Sequence, residues 1–123
     1  MDRLSFEKAA HEIFDGLPPF FKERLENVYV VVEDSPWPEL IRRMKLQSSS
    51  MLLGLYEGVP INKRGTSYGS YPILPDRITL FRENILRVVD GEEKIREKIR
   101  EVLIHEIGHH FGMSEEEIRR AGY

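Results

Sequence analysis

Three of the chain's four histidines fall within six positions, in "LIHEIGHHFGMSEEE", residues 103–117. His105 and His109 are four apart, so on a helix they share one face and their rings can converge on a single ion. Glu106 sits about 100° further round such a helix. There it can touch a water on that ion without having to ligate it, which is the geometry for removing a proton from that water. The chain has no cysteine, so any metal must be held by His, Asp or Glu. Zinc suits two imidazoles at this spacing.

Catalytic zinc takes three protein ligands and keeps a further position open for water. The extended pattern HExxHxxGxxH places the third ligand six residues after the second histidine, beyond a glycine that turns the chain back. Here that glycine is Gly112 and the third position is Glu115. Only 14 residues follow His109, so the third ligand is expected just after the motif rather than on a distant helix. Glu116 and Glu117 are the fallbacks, although acids at a helix start are also favoured simply by the helix dipole. A negative oxygen formed during acyl transfer needs a donor, for which Tyr56, Tyr68, Tyr71 and His110 are candidates. Packing is the competing role for the tyrosines, and His110 is expected to point away from its neighbours, toward the core side.

The element that must carry these groups is the longest periodic segment of the chain. Ile95, Ile99, Val102, Leu103 and Ile107 form a stripe that predicts a helix over 92–111, with Gly112 at its stop. Glu106 falls within the arc of that stripe. A buried unpaired carboxylate costs several kcal/mol, and a dication is one of the few partners that offsets this. Gly108 costs a helix interior about 1 kcal/mol, which implies close approach of another backbone or a ligand. Ser114 followed by Glu117 predicts a capping box opening a last short helix that runs to Ala121.

Upstream, a helix is predicted from Ser5 to Phe14, capped by Ser5 and stopped by Gly16, Pro18 and Pro19. A short turn over Phe20–Leu25 leads to a buried strand over Val28–Val32. Trp37, between two prolines, marks a loop and is expected to cap the core; a short helix in "ELIRRMKL" follows. Apolar runs at Met51–Tyr56 and Ile78–Phe81 predict strands bounding a long polar loop. "LLGLYEG" and "RITLF" are the candidates for a strand edge that aligns an extended peptide. For Gly54 and Gly58, tight turns and a place in that strand edge are equally open, and His11 is expected to be exposed. Helices around a few strands without regular alternation indicate an α+β domain.

Composition limits the functions available. At 123 residues, 32% charged and 41% hydrophobic, the chain is expected to form one globular domain over 1–123. The net charge of −3 comes with basic residues dispersed among acids, which argues against nucleic acid as the main partner. No stretch approaches the ~18 apolar residues of a membrane span, and a cytoplasmic location is expected.

"LLGLYEGVP", "PDRITLFRENILR" and "HEIGHHFGMSEEE", in that order, resemble the minimal zincin-like metallopeptidase family of bacteria, whose signature is HExxHxxGxx(D/E). The resemblance covers most of residues 1–121. It implies an α+β, zincin-like fold with a small mixed sheet packed against the motif helix. It also implies zinc as cofactor, with His105, His109 and Glu115 as ligands and Glu106 as catalytic base. The reaction implied is hydrolysis of a peptide or an unfolded protein. A non-enzymatic metal-binding or interaction module of the same fold, and a metal-dependent hydrolase of another substrate such as RNA, are the alternatives.

Overall fold

The computed structural model describes residues 1–58 and 75–123. At its centre β3 (Asp76–Phe81) is flanked by β1 (Val28–Glu33), which runs parallel to it, and by β2 (Gly54–Glu57), which runs antiparallel. β3 is therefore buried along nearly its whole length, with Ile78, Thr79, Leu80 and Phe81 all inside. "RITLF" is thus a central strand and offers no edge, which leaves β2 as the candidate edge. β1 is not the fully buried strand expected from its valine run: Val30 and Val32 point inward while Tyr29 is 43% exposed. The reason is its place at the rim of the sheet. There, α1 (Arg3–Asp15) blunts the open edge: the Arg3 guanidinium donates to the carbonyl of Val32, and His11 Nε2 lies 3.2 Å from the carbonyl of Val30. His11 is exposed yet occupied at this edge.

One core joins the sheet to α1 and to α5 (Glu92–His110). The stripe Ile95, Ile99, Val102, Leu103 and Ile107 is buried as expected, together with Ile104, against Phe6, Ala9 and Ala10 of α1. The two alanines let the helices approach closely. α1 begins earlier than predicted because Asp2, rather than Ser5, is its cap, and accepts from the Ser5 N–H at 2.8 Å.

The short elements depart from expectation where local packing overrides pattern. The first turn is α2 (Pro19–Lys22), and the proline-flanked loop leads into α3 (Pro38–Arg43). Trp37 lies against Phe81 with ring centroids 6.3 Å apart, at the rim of the core. The run at Met51 is no strand: Ser49–Met51 is a single 3₁₀ turn, and β2 starts only at Gly54. Sequence reading also missed α4 (Arg82–Val88), which follows β3 without any side-chain cap. Its anchor is Asn84, fully buried, whose amide donates to the carbonyls of Ser49 at 2.6 Å and Leu52 at 2.7 Å and so ties the 3₁₀ turn to α4. Among the described residues, no helix is long and apolar enough to cross a membrane.

α6 (Glu115–Arg120) hangs on the core by one side chain, Ile118, which is fully buried. It fits because α5 carries glycine opposite: a Cβ on Gly108 would stand 2.7 Å from Ile118 Cδ1. The close approach at this helical glycine is thus made by a side chain rather than by the backbone or ligand expected. Truncation of this anchor is expected to lower stability by about 2–5 kcal/mol. Urea unfolding of Ile118→Ala should show it, and a midpoint equal to wild type would contradict this role for α6.

Candidate metal centre

The end of α5 is built by a hydrogen-bonded reversal. Gly112 takes φ +81°. Its N–H donates to the His109 carbonyl at 3.0 Å, and the Met113 N–H donates to the Gly108 carbonyl at 2.8 Å. This is the paired pattern of a Schellman stop, which needs a residue without a Cβ penalty at that φ. Ser114 then caps α6: its hydroxyl accepts from the Glu117 N–H at 3.1 Å, and the Glu117 carboxylate accepts from the Ser114 N–H at 3.5 Å. With stop and start fixed two residues apart, the first residue of α6 is delivered back over the last turns of α5.

That residue is Glu115. One carboxylate oxygen lies 3.1 Å from His105 Nδ1 and the other 3.1 Å from His109 Nε2. The two imidazoles stand one turn apart with ring centroids separated by 6.2 Å. The neighbouring acids are engaged elsewhere, Glu116 with Arg120 at 2.6 Å and Glu117 in the capping box. Of the three glutamates, Glu115 alone is brought to the histidines.

Two nitrogens and a carboxylate suit a borderline-soft cation such as zinc. Two donors bound to one tetrahedral ion at about 2.0–2.2 Å lie roughly 3.4 Å apart, close to the 3.1 Å that separates each imidazole from the carboxylate. Among the described residues no group of three His, Cys, Asp or Glu is spread around a common point as a metal cage. Instead, the carboxylate stands within ion-pair distance of both rings. The donor set of two imidazoles and a carboxylate fits the ion by its chemistry.

Glu106 lies on the same helix, half-buried, facing β2. β2 rides so close to α5 that a Cβ on Gly54 would meet Val102 Cγ1 at 2.6 Å and come within 3.6 Å of Glu106 Cγ. Gly54 is therefore a close approach and no tight turn. Phe81 N–H donates to the Leu53 carbonyl at 3.0 Å, and Leu55 and Glu57 face β3 by alternation, so Gly54 and Tyr56 turn their main-chain groups away from it. Burial pushes the Glu106 carboxyl up from its ordinary 4.5, against the opposing pull of His109 and of the Tyr56 backbone N–H.

Of the proposed oxyanion donors, Tyr68 and Tyr71 lie outside the described residues. The Tyr56 hydroxyl donates to Asp76 at 2.8 Å. His110 turns away from His109 as expected, but toward β2 rather than into the core: its ring stacks on Tyr56 at 3.8 Å. An open cleft of about 360 Å³ reaches His105 and Glu115 from between α5 and α6, with Arg100, Arg119 and Tyr123 on its walls. A larger cleft, about 570 Å³ beside Lys8, Glu12 and Arg96, lies at the opposite end of α5 and holds none of the motif residues.

A mixed α+β fold with this motif helix beside a small sheet defines a zincin-like protein, and comparison with known sequences agrees. The sequence model of the zincin-like metallopeptidase family matches residues 25–123, and the chain belongs to that family. Among solved structures it is similar to a conserved hypothetical protein from T. thermophilus, at 24% identity and a TM-score of 0.55. That match covers 89% of this chain and 94% of the other, and shows a shared fold. No curated protein matches at a significant level.

The raised Glu106 pKa has a consequence for the metal-free protein. A carboxyl that holds its proton more tightly folded than unfolded costs stability once charged. The penalty is absent below the unfolded value, near pH 4.5, and grows as pH rises through the folded one. Metal-free Glu106→Gln should therefore resist denaturant better than wild type at pH 7, with the gain vanishing near pH 4. A variant no more stable than wild type at pH 7 would contradict the burial account.

Proposed function

We propose that the chain is a zinc-dependent peptidase whose ion is held by His105, His109 and Glu115. The observation that carries this reading is the carboxylate of Glu115 placed against both imidazoles of an HExxH helix, with Glu106 half-buried on the adjoining face. When bound, zinc supplies a Lewis acid that polarises a carbonyl and brings the pKa of a water down to about 7.

The chain's own groups do the rest. Glu106 accepts a proton from the water as it adds to the peptide carbonyl carbon, then delivers that proton to the departing amine nitrogen. Its raised pKa suits both halves of that task, since a proton easily taken must also be easily returned near neutral pH. Among the described residues β2 is the strand whose outward main-chain groups stand beside Glu106. An extended peptide aligned on it would be held through its backbone, which favours peptides or unfolded proteins as substrates. The dispersed charge and net −3 give no support to a phosphate backbone as substrate. A cytoplasmic setting is part of the same reading.

Protein purified without chelator should contain one zinc per chain by elemental analysis, and His105→Ala should contain none. Glu115→Ala should weaken zinc binding by at least about tenfold, whereas Glu116→Ala and Glu117→Ala should leave it unchanged. Glu106→Gln should keep its zinc and lose turnover of a peptide library by about 100-fold or more. Wild type and Glu106→Gln proving equally inert on peptides would remove the peptidase reading and leave a metal-binding module.

A further inference from the structure

Asp76 takes no part in the chemistry above, yet it is only 3% exposed. A carboxylate is costly in such a place unless its partners are fixed. Among the described residues, two such partners come from β2 and α5, the elements that form the site. The hydroxyl of Tyr56, on β2, donates to Asp76 Oδ2 at 2.8 Å. The imidazole of His110, last residue of α5, brings Nε2 to 3.9 Å from the same oxygen. The two rings stack at 3.8 Å with their planes 15° apart. Room for the carboxylate is kept by Gly58, where a Cβ would lie 2.8 to 3.0 Å from all three carboxylate atoms.

The cluster therefore joins β3, β2 and the end of α5 at one point, one residue beyond His109. Gly54 sets the other end of the same seam, with β2 pressed on the Glu106 stem. Tyr56 lies between them, its ring on the cluster and its outward main-chain groups on the side where Glu106 stands.

From this geometry we infer that Asp76 is a positioning residue: by holding Tyr56 and His110 together it clamps β2 against the end of α5 and sets where the Glu106 carboxylate stands. The clamp itself is a statement about structure; its effect on turnover rests on the peptidase reading. Misplacing a general base by an ångström or less slows the chemical step while leaving the binding of metal and substrate intact. That separates this role from one in folding alone.

Three variants address it. Asp76→Asn removes the charge directly. Tyr56→Phe removes one hydroxyl and keeps the ring, so it should fold. Gly58→Ala pushes a methyl group into the carboxylate and leaves Tyr56 and His110 themselves unchanged. Amide hydrogen exchange, followed by NMR, reads the clamp without any activity assay. The Tyr56 amide should exchange about tenfold faster in Tyr56→Phe and Gly58→Ala, while the Phe81 amide, bonded within the sheet, keeps its wild-type rate. The same variants should bind one zinc, lose about tenfold in kcat, and hold KM within about twofold. Unchanged Tyr56 exchange in both would overturn the assignment, as would faster exchange at Tyr56 and Phe81 alike, or faster Tyr56 exchange with full kcat. Wild-type protein inert on every peptide would count against the peptidase reading instead, and the exchange comparison would then decide the clamp by itself.

Discussion

The site depends on a single chain reversal, in which α5 must stop at His110 and α6 must restart at Glu115 so that one carboxylate meets two imidazoles a turn apart. Four ordinary interactions enforce it. Gly112 supplies the positive φ, two crossed main-chain hydrogen bonds close the stop, and the Ser114–Glu117 box opens the next helix. Ile118 against Gly108 sets the distance between the helices. None of these residues touches the histidines' ring nitrogens, yet moving any of them moves the Glu115 carboxylate. The energy involved is the usual kcal/mol or so of a cap and a few of a buried isoleucine, spent on placing an exposed glutamate that the core alone would not hold.

The second constraint acts on the opposite face of α5. There the helix meets β2 through Gly54, and the strand covers Glu106 enough to raise its pKa while leaving it half-buried. A carboxylate wholly in the core would be driven neutral, and one wholly in water would keep its ordinary pKa. The intermediate position follows from a strand that carries glycine where it meets the helix. The same helix thus presents His105 and His109 toward α6 and Glu106 toward the sheet, and its buried stripe holds both faces in register.

The motif and its helix were legible in the sequence because they are local: four-residue spacing, a stripe of isoleucines, a glycine stop and a capping box all act within a few residues of one another. Spacing from the motif already singled out Glu115, with Glu116 and Glu117 as fallbacks; which of the three stands against the histidines turns on which way a short helix faces. The misses were matters of tertiary context. α4 has no cap or periodicity strong enough to announce it and is held by Asn84 reaching back to Ser49 and Leu52, more than 30 positions away. β1 looked buried by composition and is an edge, because α1 supplies a guanidinium and an imidazole to finish it. Asp76 was read only as part of a family-like string, and nothing near it in sequence reveals that Tyr56 and His110 converge on it.

Diffraction from crystals grown with zinc, with data collected on both sides of the zinc absorption edge, tests the central assignment most directly. One anomalous peak within about 2.0–2.2 Å of donor atoms of His105, His109 and Glu115 is the result this account requires. A peak bound elsewhere, or no peak between those side chains at saturating zinc, would contradict it.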